Sequence, residues 1–132
     1  RMKKHVSNAR KIANWLEQHP KIDKVTYAGL KSSKYYDLSK SVLPKGAGAL
    51  FTISLKEGYE ACIKMINKLN LFSHVSNLGD TRSLIIHPAS TVHRQLTEQQ
   101  QINAGLAPNV IRLSIGIEDP KDLIDDLKQA LE

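Results

Sequence analysis

Apolar residues recur at helical spacing in three long segments of the chain. The first covers residues 2–18 and stops just before Pro20, as a helix should before proline. The second lies within residues 56–72, and the third opens with Asp119 as an N-cap and Pro120 in the first helical position. The apolar faces are Val6, Ala9, Ile12, Ala13 and Leu16; then Ala61, Ile63, Met65, Ile66 and Leu69; then Leu123, Ile124, Leu127 and Leu131. These patterns predict three amphipathic helices.

Between these helices lie short runs rich in β-branched and aromatic residues, which is typical of strands. They are "KVTYAG" at 24–29, "ALFTISL" at 49–55 and "VIRLSIG" at 110–116. The stretch "HVSNLGDTRSLIIHPAS" at 74–90 predicts two further strands around a turn at Gly79 and Asp80.

Two shorter helices complete the prediction. One covers residues 35–42, and the other begins at Thr97, which stands at capping-box spacing from Gln100. The alternation of helices and strands predicts an α/β fold of the α+β sandwich kind, with one small mixed or antiparallel sheet covered by helices. We expect one domain over residues 1–132, without repeats or a linker.

Composition narrows the class of protein. The 132 residues are 41% hydrophobic and 24% charged, and no apolar run approaches the roughly 20 residues of a membrane span. A single cysteine, Cys62, allows no internal disulfide and favours the cytoplasm. Residues 1–50 hold 11 lysines and arginines against 3 acidic residues, whereas residues 51–132 hold 8 against 10. Such a basic half can bind nucleic acid, but no aromatic stacking pattern accompanies it, which favours a solvated surface.

Several candidate reactive groups are better explained by structure than by chemistry. The spacing of His87 and His93 does not match a helical zinc pair, so a structural or capping role is expected. Cys62 lies on the apolar side of a helix and should be a buried, inert thiol. Lys34 sits in a polar loop, whereas a Schiff-base lysine must be desolvated. The sequence therefore shows no catalytic group and no metal site.

Arg112 is the exception, because it interrupts an otherwise apolar strand. A charge there is costly to bury unless it meets an opposite charge. The partner is either a side chain such as Asp80 or Glu118 in a structural salt bridge, or a ligand carboxylate held by two parallel hydrogen bonds. Asn77, just before the predicted turn, is a possible second donor. The residues alone leave both interpretations open.

At "SNLGD…SLIIHPASTVH", "LTEQQQINAG" and "IRLSIGIEDPKDLIDDLKQAL" the chain resembles the pyridoxal-phosphate enzymes of cysteine and methionine metabolism. Upstream, "YAGL", "YYDL" and "LPKGAGALFTISLK" match too, so the resemblance covers essentially the whole chain. "LPKGAG" and Asn77 before "LGD" are most similar to the O-acetylhomoserine sulfhydrylase branch. Methionine γ-lyase, cystathionine γ-synthase and the cystathionine lyases are close relatives.

The resemblance implies the C-terminal small domain of a fold-type I pyridoxal-phosphate transferase. Arg112 would hold the α-carboxylate of the amino-acid substrate, Asn77 would assist it, and Thr91 is a weaker candidate in the same pocket. The parent enzyme would replace the γ-substituent of O-acetylhomoserine with sulfide or a thiol, giving homocysteine or methionine. Val92 departs from the family, which usually has threonine there, so a substrate-side role for that hydroxyl is in doubt.

The same resemblance implies what this chain lacks. The lysine that carries pyridoxal phosphate belongs to a larger preceding domain, and Lys34 does not correspond to it. We therefore expect a fragment that is inactive alone, from a cytoplasmic parent enzyme that is a homotetramer. Two alternative hypotheses belong to other classes of protein. One is a free-standing regulatory module that binds amino acids through Arg112, and the other is a basic nucleic-acid-binding domain.

Overall fold

Five strands form one sheet in this computed structural model, which describes residues 1–132. The strands are β1 (Ile22–Thr26), β2 (Leu50–Leu55), β3 (Ser73–His74), β4 (Leu84–Ile86) and β5 (Val110–Ser114). Their order across the sheet is β1-β2-β5-β4-β3, with β3 parallel to β4 and every other pair antiparallel. The predicted mixed sheet is confirmed.

Five α-helices accompany the strands. They are α1 (Met2–Glu17), α2 (Tyr36–Val42), α3 (Tyr59–Lys68), α4 (Glu98–Asn103) and α5 (Pro120–Leu131), with a 3₁₀ turn at Pro88–Ser90. Helix α1 lies before the first strand and α5 after the last. Both predicted caps form: Thr97 and Gln100 make the reciprocal capping-box bonds, and the Asp119 side chain accepts from the backbone N–H of Lys121. No helix combines the length and apolar character that crossing a bilayer requires.

The core lies between one face of the sheet and the three long helices, which also pack on one another. Alternate residues of the two central strands point into this core, because successive strand side chains face opposite sides. They are Phe51, Ile53 and Leu55 of β2 and Ile111 and Leu113 of β5. The remaining side chains of these strands therefore belong to the opposite face of the sheet.

The helices bury the predicted stripes with small adjustments. On α1 and α5, Val6 and Ile124 are only half-buried, while the other predicted residues are buried. On α3, Met65 and Ile66 are buried together with Cys62. Burial raises the pKa of the Cys62 thiol to about 12, so the thiol stays protonated at neutral pH.

The β3–β4 region differs from the prediction. The two strands do not flank a tight turn at Gly79 and Asp80; they run parallel, joined by an extended loop. β3 ends at His74, at the start of the segment 74–90 in which the sequence predicts two strands. The reason lies in the loop itself, where the backbone carbonyls of Ser76 and Asn77 turn toward Arg112 instead of pairing with a strand.

Candidate functional site

Arg112 lies in the middle of β5, on the face of the sheet opposite the long helices. Its strand neighbours Ile111 and Leu113 are buried in the core, so alternation directs Arg112 to the other side. Across the ladder it stands between Thr52 of β2 and Ile86 of β4. The apolar run around Arg112 therefore reflects one buried face, and the arginine itself is half-buried on the other.

The guanidinium is held by backbone carbonyls. Nη2 of Arg112 donates to the carbonyl oxygen of Ser76 at 2.8 Å and lies 3.4 Å from that of Asn77. These oxygens are partial charges only, and no carboxylate lies within 4.0 Å of the guanidinium. Arg112 therefore keeps its full positive charge without a counterion from the chain.

The alternative of a structural salt bridge to Asp80 or Glu118 is wrong. Asp80 pairs instead with Nε of Arg82 at 3.1 Å, and the hydrogen bonds from Arg82 lower the pKa of that carboxyl. Glu118 accepts from the backbone N–H of Ser83 at 2.6 Å and from its hydroxyl at 2.9 Å. Both carboxylates thus have other partners, and the partners that the chain gives Arg112 are the carbonyl oxygens of Ser76 and Asn77.

The N–H donors of Arg112 that make no bond within the chain suit a carboxylate. Arginine carries five N–H donors in a planar fork, and the protein occupies only those of Nη2 in Arg112. Nε and Nη1 donate to no atom of the chain. Each of these free donors can form a charge-assisted hydrogen bond with a carboxylate oxygen, whereas a bidentate pair on one edge of the fork would also use Nη2, because Nη2 belongs to both bidentate edges.

Asn77 is brought next to Arg112, but through its backbone. The side-chain amide of Asn77 is exposed and makes no hydrogen bond within the chain. Its donors are therefore available to a ligand beside the guanidinium. The role of the Ser76 carbonyl was missed in the sequence, because a backbone oxygen leaves no signal in residue identity.

Thr91 is not joined to this pair. Its hydroxyl donates to the carbonyl oxygen of His87 at 2.7 Å, which uses its only proton locally. No hydrogen bond links Thr91 to Arg112 or Asn77. The Val92 side chain is 51% exposed and lies on the surface.

His87 has a structural role, as predicted. Its Nε2 donates to the carbonyl oxygen of Pro108 at 2.6 Å, because a carbonyl can only accept. Nδ1 then accepts from the hydroxyl of Ser90 at 2.7 Å, and the Tyr59 ring meets the imidazole edge-on. The buried ring thereby ties the segment after β4 to the segment before β5.

No lysine in the chain fits a Schiff base with pyridoxal phosphate. Such a lysine needs a desolvated pocket to lower its pKa, and none of the lysines is buried. Lys34 is exposed, with its ammonium 5.0 Å from the centroid of the Tyr35 ring. The residues present suit a carboxylate but not covalent attachment of the cofactor.

Comparison with known proteins assigns the chain to a family. The model of the Cys/Met metabolism PLP-dependent enzymes matches residues 1–132. The chain belongs to that family. It is 46% identical to an O-acetyl-L-homoserine sulfhydrylase of Leptospira meyeri and 42% identical to an L-methionine gamma-lyase of Fusobacterium nucleatum. Each match covers 100% of this chain, but 30% and 33% of the relative.

A solved structure of the family has the same fold. It is a protein from Campylobacter jejuni described as an O-acetylhomoserine (thiol)-lyase and containing N'-pyridoxyl-lysine-5'-monophosphate. The match has a TM-score of 0.92 and 46% sequence identity, and covers 99% of this chain and 31% of that one. The chain thus spans about a third of the length of the relatives that it matches.

Proposed function

We propose that this chain is the substrate-carboxylate-binding small domain of a pyridoxal-phosphate-dependent O-acetylhomoserine sulfhydrylase. The observation that carries the proposal is the uncompensated guanidinium of Arg112, held in place by the Ser76 carbonyl with its Nε and Nη1 donors free. The similarity to the Leptospira meyeri and Thermus thermophilus sulfhydrylases, at 46% and 44% identity, supports the choice of activity.

In this role the chain binds and orients rather than reacts. Arg112 would donate charge-assisted hydrogen bonds to the α-carboxylate of O-acetylhomoserine, and the free amide of Asn77 would donate a further bond. Fixing this end of the substrate sets the position of the α-carbon relative to the rest of the enzyme. Thr91 can contribute only an acceptor, since its proton is already donated to His87.

The rest of the assignment follows the family. We propose that pyridoxal phosphate is carried by the other two-thirds of a longer, cytoplasmic and homotetrameric enzyme. Sulfide or a thiol would be the second substrate there. A second candidate activity is that of methionine γ-lyase, favoured by the 42% identity to the Fusobacterium nucleatum enzyme. A carboxylate clamp serves an amino-acid substrate equally well in either reaction.

The substrate itself offers the direct test. In the longer enzyme, replacing the α-carboxylate of O-acetylhomoserine by a carboxamide should lower kcat/KM by a factor corresponding to about 2–5 kcal/mol, because a charged hydrogen-bonded pair is lost. Replacing the acetyl group by propionyl is the matched control, since it changes the substrate elsewhere and leaves the α-carboxylate and the net charge unchanged. An unchanged kcat/KM with the carboxamide would contradict the clamp.

Borohydride trapping tests the proposal that this chain alone is incomplete. After incubation with pyridoxal phosphate, dialysis and then reduction, the intact mass should equal that of the unmodified chain, because exposed lysines form only reversible aldimines that dialysis removes and no lysine is desolvated. The aldimine absorbance should also disappear on dialysis. A reduced adduct on one lysine that survives dialysis would show that the chain holds its own cofactor.

A further inference from the structure

Three basic side chains converge on a cleft that shares no residue with the Arg112 site. The cleft has a volume of about 170 Å³ and lies between α1, α2 and the turn that follows α2. Arg10 of α1, Lys40 of α2 and Lys45 of the turn line it, together with Tyr36. No acidic side chain is among the residues that line it.

The fold holds these three residues together although they are far apart in the sequence. Gly46, beside Lys45, has φ +129° and packs so closely on Val6 of α1 that an added Cβ would lie 2.5 Å from a Val6 methyl group. The hydroxyl of Ser39 on α2 lies between the carbonyl oxygens of Tyr36, at 2.7 Å, and of Ala28 in the segment after β1, at 3.1 Å, and shares its proton between them. The turn is thus fixed against α1, and α2 against the segment after β1, which makes the walls of the cleft well defined.

The positive charge of the cleft has no counterion in the chain. The ion pairs of the protein are Arg82 with Asp80 and Lys121 with Asp125, and both lie elsewhere. The ammonium of Lys40 lies 4.2 Å from the centroid of the Tyr36 ring, a contact that holds the lysine without neutralising it. Three like charges around a small volume repel one another. An anion bound between them attracts all three, so the total electrostatic energy of the cleft becomes favourable.

We propose that this cleft binds a phosphate-type anion. The volume has room for about five waters, which suits one or two phosphate groups and no large organic body. The Arg10 guanidinium supplies a planar fork that matches two phosphate oxygens, and the two lysines supply compact point charges around it. Phosphate could come from a free ion or from a phosphomonoester, and the chemistry at the cleft is the same for both.

Titration with inorganic pyrophosphate, followed by calorimetry and amide NMR shifts, tests the site. We expect saturable one-to-one binding with shifts confined to α2, the following turn and the facing part of α1. Arg10→Gln and Lys45→Gln should each weaken the affinity about three- to fivefold, as loss of one exposed ionic contact does. Lys128→Gln on α5 removes the same charge outside the cleft and should leave the affinity unchanged.

The competing outcomes are distinct. Equal weakening by Lys128→Gln, absence of saturation, or shifts spread over the whole basic half would each overturn the site in favour of diffuse attraction. The side chains of Arg10, Lys40 and Lys45 are all exposed, so the variants should have the same unfolding temperature as the unsubstituted chain. Circular dichroism checks this. Parallel titrations with inorganic phosphate and phosphoserine distinguish the two sources, since an ester that binds more tightly than the free ion indicates an organic phosphate.

Discussion

Replacing Arg112 by alanine in the longer enzyme should lower kcat/KM for O-acetylhomoserine roughly thirty- to several-thousand-fold. This corresponds to a loss of about 2–5 kcal/mol of transition-state stabilisation. The loss arises because the substrate carboxylate would remain in the site without its charged, doubly hydrogen-bonded partner. Arg112→Lys should recover only part of the activity, since an ammonium restores the charge but not the planar fork. Steady-state kinetics with both variants measures the two contributions separately.

A cycle with the carboxamide substrate decides whether the arginine acts on the carboxylate. If it does, Arg112→Ala should cost little with the carboxamide, because the interaction is already absent. An equal loss with both substrates would instead assign Arg112 a structural role in positioning the loop that contains Ser76 and Asn77. Thermal unfolding of the variant provides an independent check, since a clamp residue without a counterion should contribute little to stability.

Gly116→Ala should destabilise the fold by about 3 kcal/mol, the upper part of the usual range for overpacking. A Cβ at this position would lie 2.3 Å from the carbonyl oxygen of Thr81 and 2.4 Å from Oε2 of Glu118. The backbone there cannot retreat easily, because Ile117 donates to the same Thr81 oxygen at 2.8 Å. The clash would therefore separate the end of β5 from the segment that enters β4. Urea unfolding followed by circular dichroism measures the change.

Gly105→Ala is the matched control. Gly105 has a backbone that favours glycine, with φ +76°, whereas Gly116 does not, and an added Cβ at Gly105 would meet nothing within 4 Å. Only the left-handed conformation is then penalised, at about 1–2 kcal/mol. A loss at Gly116 no larger than that at Gly105 would mean that the close approach at Thr81 relaxes, contrary to our expectation.

Much of the fold was predictable because it depends on local periodicity. The stripes of α1 and α5 and the alternation in β2 and β5 follow from which residues must leave water. The same alternation made Arg112 visible, since a charge within an apolar strand is unusual. The residues near it in space were harder to place, because Ser76 contributes only a backbone oxygen.

Buried polar residues of the helices were not predictable, because their partners are distant in sequence. Asn8 is fully buried on α1, where its amide donates to the carbonyl oxygens of Gly116 and Glu118 at 3.1 and 2.8 Å. Asp126 on α5 accepts from the backbone N–H groups of Asn70 and Leu71 at 3.0 and 2.8 Å. A pattern of apolar and polar residues assigns both to the surface. Each instead satisfies backbone groups where another segment changes direction.

The attachment of Arg112 to main-chain carbonyls has a consequence for how such a site diversifies. Every residue type has the same backbone carbonyl, whatever its side chain. Substitutions at positions 76 and 77 can therefore leave the orientation of the guanidinium unchanged. Anchoring and selectivity are thereby separated within one loop. The backbone carbonyls of residues 76 and 77 hold the guanidinium, while in the proposed function the side chain of residue 77 would be free to adjust which substrates fit beside it.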